Sequence, residues 1–302
     1  MTPFREILVK AGSYLKDKYE GSMLDVVEVK KPGNVQLAWE WFSHFQEFAV
    51  LCNRLVESVV VDCLNNLDCA GGGWTREKRR SNILYFDGAG VEPAPRVIVK
   101  AWQSFPVEQP TRFSESGKLF EEDNVSVISI GWVMEHMIWG RVRILSVESM
   151  SARDLVKART SHYFRPPDYV VCEEESDKFS SLITDAKQTR GYSFIGSEEQ
   201  QRQAQALAER LGLQSDNYSF SQDYQKKLYQ LLGRFPYRED RTYAIIDLIE
   251  QPDVVRARRE ALETVIDGAP VGLFAKLTGS KDDEQICASL GRLLKGETCG
   301  AD

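Results

Sequence analysis

The sequence is poor in the residues on which catalysis and cofactor binding usually leave a local mark. It has three histidines in 302 residues, His44, His136 and His162. No two of them share helical or strand spacing, so neither a multi-histidine metal centre nor a nucleophile–histidine–acid triad can be built from local pattern. Its six cysteines, Cys52, Cys63, Cys69, Cys172, Cys287 and Cys299, form no Cys-x-x-Cys pair. That excludes the common zinc frameworks and points to reduced thiols in a cytoplasmic protein. Neither GxGxxG nor GxxxxGK[S/T] occurs, which removes the ordinary Rossmann and P-loop signatures. No run approaches the ~18 uncharged apolar residues of a membrane helix. The N-terminal MTPFREILVK carries charges where a secretory signal is apolar. The expectation is a soluble cytoplasmic chain with no membrane partner, and a net charge of −7 disfavours non-specific nucleic-acid binding.

What the sequence does have is core material. Apolar residues make up 42% of the chain, and its length suits two domains better than one. The most informative stretch is Asn34–Asp68, which contains no proline or glycine. Ala38, Phe42, Phe45, Ala49, Cys52, Val56, Val59 and Cys63 alternate steps of four and three, and Trp41, Phe48 and Leu55 widen the stripe. The polar side is the narrow row Gln36, Glu40, Ser43, Glu47, Arg54, Ser58 and Asn65. One continuous helix of about 50 Å is predicted, at ~1.5 Å per residue, with Asn34 as its N-cap.

Around it, residues 3–19 read as a helix and 23–30 as a β-branched strand. Cys69 to Trp74 reads as a flexible glycine-rich break. Four strand-like runs follow, Ile83–Phe86, Arg96–Trp102, Val125–Val133 and Trp139–Val147, separated by turn chemistry. The predicted fold class is therefore α+β for the N-terminal half, a long central helix with a mostly antiparallel sheet. After a helix and linker at 151–167, strands and helices alternate: strands at 169–172, 192–195, 242–249 and 271–277, and helices at 176–187, 197–211, 223–232, 252–266 and 281–294. That alternation predicts an α/β C-terminal domain over 168–296 with a flexible tail at 297–302. The capping box Ser197/Gln200 marks one helix start.

Several groupings are candidates for chemistry. Glu28 and Lys30 form a Glu-x-Lys pair on the first strand, the pattern with which nucleases hold a divalent ion and orient a water. Asp25, three residues earlier, has opposite strand parity and would face the other way. A second acidic group is Glu173, ending one strand, with Asp247 and Glu250 on and after another. Carboxylates at strand ends are where open α/β sheets place their sites. The arrangement loosely resembles that of the Toprim family, which binds a divalent metal for phosphodiester chemistry. It departs from that family's tight Asp-x-Asp pair, since Glu250 lies three residues beyond Asp247, and the chain is not assigned to the family. Gly191–Ser197 before a helix suggests phosphate binding, but Glu198 and Glu199 occupy the helix start and would repel a phosphate. His162, with Arg159, Arg165 and neighbouring aromatics, could grip a phosphate or base. Arg76, Lys78, Arg79 and Arg80, beside Trp74 and three glycines, could bind nucleic acid.

No grouping amounts to a catalytic signature. The leading expectation is a cytosolic, non-catalytic interaction or assembly protein, with a protein partner or self-association. The alternatives are a divalent-metal enzyme acting on nucleic acid or nucleotides and a nucleic-acid-binding regulator. A divalent metal is the cofactor only under the enzyme reading.

Overall fold

The stretch predicted as one long helix is two. Helix α1 spans Pro3–Tyr19, α2 Val35–Ser43 and α3 Phe45–Leu64, with a break at His44 between the last two. Neither proline nor glycine causes it. The Ser43 hydroxyl donates to the Glu40 carbonyl at 2.8 Å, a local bond that competes with the helix ladder. The Trp41 indole N–H donates to the Ile138 carbonyl at 2.7 Å, anchoring the last turn of α2 to another part of the fold. Asn34 caps α2 as expected, accepting from the Leu37 amide. These features belong to a computed structural model that describes residues 3–67, 69, 71–78, 80–104, 123–154, 165–173, 189–214, 217–219, 221–240, 252–278 and 282–297.

Six strands form the main sheet: β1 Met23–Val29, β2 Gly72–Glu77, β3 Arg80–Gly88, β4 Arg96–Gln103, β5 Val125–Met134 and β6 Gly140–Ser151. Their order is β1-β6-β5-β4-β3-β2. Every pairing is antiparallel except β4–β5, which is parallel. The four predicted strand runs all lie in this sheet. The glycine-rich stretch expected as a flexible break is instead strand β2, paired with β3. Its glycines permit close approach, because a side chain at Gly72 would run into the Asp87 carbonyl, and Trp74 packs edge-on against Phe86 at 5.6 Å. All ten residues of β5 are buried, as expected of a strand covered on both faces.

The chain divides into two compact units, one of Met1–Thr111, Asn124–Ser151 and Pro252–Asp302, the other of Arg112–Asp123 and Ala152–Gln251. This differs from the expected division into 1–150 and 168–296. The reason is burial: Ile266, Val271, Phe274, Ala275, Ile286, Leu290 and Leu293 share one core with α1, α3 and the six-stranded sheet.

The second unit has its own core. Three strands, β7 Tyr169–Glu173, β8 Thr189–Phe194 and β9 Tyr237–Asp240, pair antiparallel in that order. Helices α4 Glu198–Leu211 and α5 Gln222–Arg234 supply Ala204, Leu207, Ala208, Leu228 and Leu231 to pack with Val170 and Cys172. The capping box at Ser197 and Gln200 is formed. The predicted elements at 176–187 and 242–249 lie outside the described residues.

In the first unit, α6 Pro252–Glu263 is followed by a two-stranded hairpin, β10 Val265–Ile266 and β11 Ala269–Pro270. Asp267 and Gly268 turn it with φ of 49° and 79°, the positive values that a two-residue hairpin turn requires. Residues 271–277, predicted as a strand, are helix α7 Val271–Thr278. Among its described side chains, Val271, Phe274 and Ala275 are buried, an i, i+3, i+4 set that only a helix brings to one side. Helix α8, Asp283–Lys295, starts at an Asp282 cap whose carboxylate accepts from the amides of Glu284 and Gln285.

Candidate functional site

Helix α3 organises the first unit, and its two sides differ in kind. The inner side carries Ala49, Cys52, Val56, Val60 and Cys63, all buried. Burial pushes the Cys52 thiol up to about 12, which disfavours the thiolate, and this sulfur packs as a small hydrophobe. Two polar residues one turn apart, Asn53 and Glu57, also point at the sheet. The Asn53 side-chain oxygen accepts from the Trp132 indole N–H at 2.7 Å. Glu57 accepts from the Ala101 amide at 3.2 Å and from Arg54 at 3.2 Å. Burial raises the Glu57 carboxyl above the usual glutamate range, while nearby Lys100, the Ala101 amide and Arg54 act in the opposite direction. The pairing of β3 with β4 covers Arg96–Ile98 only. Glu57 therefore occupies an edge position of β4 where a neighbouring strand would otherwise supply the acceptor.

The outer side of α3 reads Glu47, Val50, Leu51, Arg54, Ser58 and Asp62. Its C-terminal half is bonded by Arg76 of β2, which donates to the Ser58 carbonyl at 3.2 Å and pairs with the Asp62 carboxylate. Among the described residues no such bond reaches its N-terminal half. Val50 is 54% exposed and Leu51 56% exposed, and Leu37 on α2 is exposed as well. Side by side on one helix, Val50 and Leu51 form an apolar step flanked by Glu47 and Arg54. The sequence holds a trace of it: the polar row passes from Glu47 to Arg54 with no polar residue at the turn between.

The residues singled out from the sequence fare differently. Arg76 is engaged with α3, Lys78 is exposed at the β2–β3 turn, and Arg80 opens β3 opposite Glu77. Arg79 lies outside the described residues. Arg76, Lys78 and Arg80 thus belong to a hairpin, and Arg76 is spent inside the fold. Glu28 and Lys30 are both exposed. The register of β1 against β6 shifts between Leu24 and Glu28, so strict alternation fails and Asp25 is exposed along with Glu28. Asp25 is bound to Arg141 at 3.1 Å, and Arg141 also approaches Glu135 at 3.6 Å.

Glu173 ends β7, while Asp247 and Glu250 lie outside the described residues, as does His162. His44 sits at the α2–α3 break. His136 contacts Asp267 through Nδ1 at 3.0 Å and stacks on Trp139 at 5.5 Å. No group of three or more His, Cys, Asp or Glu able to hold a metal ion occurs among the described residues. Among these residues no helix is long and apolar enough to cross a membrane. In comparisons with known proteins, no family model, no curated protein and no solved structure matches the chain.

Proposed function

We propose that this chain is a cytosolic, non-catalytic interaction or assembly protein that works through protein–protein contacts on the outer face of α3. The observation that carries this reading is the exposed Val50–Leu51 step. Two branched aliphatic side chains, each more than half exposed, lie on a helix that Arg76 bonds further along, at Ser58 and Asp62. Apolar contact area inside a rim of charged residues is the composition of a protein-binding surface. The free cysteines Cys52, Cys63, Cys69 and Cys172, all buried, support a reducing compartment.

The test is recovery of the tagged chain from its native cells under mild conditions, with the wild type beside a Val50→Lys/Leu51→Glu variant. A complex of defined composition that the wild type holds and the variant loses is the expected result. A complex retained by the variant removes α3 from the function.

A further inference from the structure

We infer that the outer face of α3 is a two-fold interface and that its partner is a second copy of this chain; this rests on the protein–protein reading above and names the partner. The stretch of α3's outer face without a bond from Arg76 lies between the break at His44 and Ser58, where Arg76 makes its first contact. Its midpoint is the step between Val50 and Leu51. A two-fold axis through that step sets two antiparallel α3 helices against each other, with Val50 of each copy facing Leu51 of its partner.

The same operation brings Glu47 opposite Arg54, and it does so twice, once at each end of the apolar step. Both charges stand about 5 Å from the axis along the helix, at ~1.5 Å rise per residue. A patch on which an acid and a base are equidistant from an apolar centre is self-complementary, as an isologous contact demands. Glu47 is exposed, and no ion pair to it occurs among the described residues. Arg54 keeps 66% of its side chain exposed while one nitrogen holds Glu57, so its outward N–H groups can reach the partner's carboxylate. Three helical turns on each side bury less than a standard interface of ~1,600 Å². The dimer is therefore reversible and dilutes apart.

The experiment is light scattering after size exclusion across a dilution series, with charge reversals read singly and mixed. Wild type is expected to approach twice the chain mass at high concentration. Leu51→Asp is expected to remain at one chain mass with an unchanged thermal melt. Glu47→Arg and Arg54→Glu each place like charges opposite one another and are expected to be monomeric. Mixed together, they place unlike charges opposite at both ends, and a one-to-one heterodimer is expected by native mass spectrometry. Because Arg54 also holds Glu57, the exchange is repeated in a Glu57→Gln background if Arg54→Glu alone unfolds.

A wild type monomeric at every concentration overturns the proposal. So does a dimer that survives Leu51→Asp, or two folded monomeric variants that fail to recombine. A monomeric wild type that still forms a Leu51-dependent complex with another protein rejects the second copy but keeps the protein–protein reading. A complex indifferent to Val50 and Leu51 rejects both.

Discussion

The two halves of α3's outer face belong to one helix and one stripe, yet the fold treats them oppositely. From Ser58 to Asp62 the stripe is polar and is bonded by an arginine from β2. From Glu47 to Arg54 it is apolar at its centre and open to solvent. The usual assignment would be the reverse, since polar residues bear exposure at little cost and aliphatic ones do not. Arg76 reaches only the C-terminal half, where its guanidinium meets Ser58 and Asp62. The N-terminal half keeps two aliphatic side chains that contribute nothing to the core. Residues that a fold does not use for its own stability are the natural ones to assign to a partner.

Substitutions on α3 and its supports put this contrast to the test. The largest effect is expected at Trp132, fully buried and bonded to Asn53. Trp132→Ala should cost about 3–5 kcal/mol in urea unfolding and loosen both halves of the helix together. A loss below about 1 kcal/mol, less than the usual range for such a truncation, would mean that the indole does not anchor α3.

Glu57→Ala comes next, because it leaves the Ala101 amide without its acceptor; the expected loss is about 1–3 kcal/mol. The pH dependence at this position has a definite sign. The folded carboxyl is raised by burial, so in the interval above the ordinary glutamate range the folded state holds a proton that the unfolded state has released. Glu57 therefore makes stability decline as pH rises through that interval. Urea midpoints measured across it should decline less steeply in Glu57→Gln, and superimposable profiles would refute the assignment.

Arg76→Ala should cost about 1 kcal/mol or less, since Asp62 is largely exposed and such pairs are weak. It removes the bond to the C-terminal half without making the two halves alike in chemistry, so it should not weaken association through Val50 and Leu51. The smallest effect on stability is expected for Leu51→Lys, within about 0.5 kcal/mol, although the same change should abolish association. A large stability loss there would show that Leu51 already belongs to the core.

Much of this architecture is legible in the order of the residues. The four-and-three spacing from Ala38 to Cys63 selects the inner side of α2 and α3, because an apolar stripe at helical period has only one way to be buried at once. The four β-branched runs from Ile83 to Val147 and the Ser197/Gln200 cap are equally local. The break at His44 is not legible, since its causes include an indole held by a carbonyl 97 residues away. Residues 271–277 differ from the expected strand because a short apolar run suits a strand or a buried helix, and only the i, i+3, i+4 burial distinguishes them. Glu57 gives no sign of being a buried acid, because an isolated glutamate in a helix is ordinarily a surface residue.

For most elements, their type and their apolar side follow from the chain alone, since both depend on side-chain period, caps and turn residues within a few positions. The absence of any familiar catalytic or nucleotide-binding pattern is likewise a property of the chain as written. Only long-range packing settles that the C-terminal helices join the N-terminal core, that Arg76 is consumed by α3, and that Asp25 and Glu28 are both exposed. The same is true of Val50 and Leu51, which remain uncovered. Each of these turns on what distant segments bring to the same place, and local period carries no information about that.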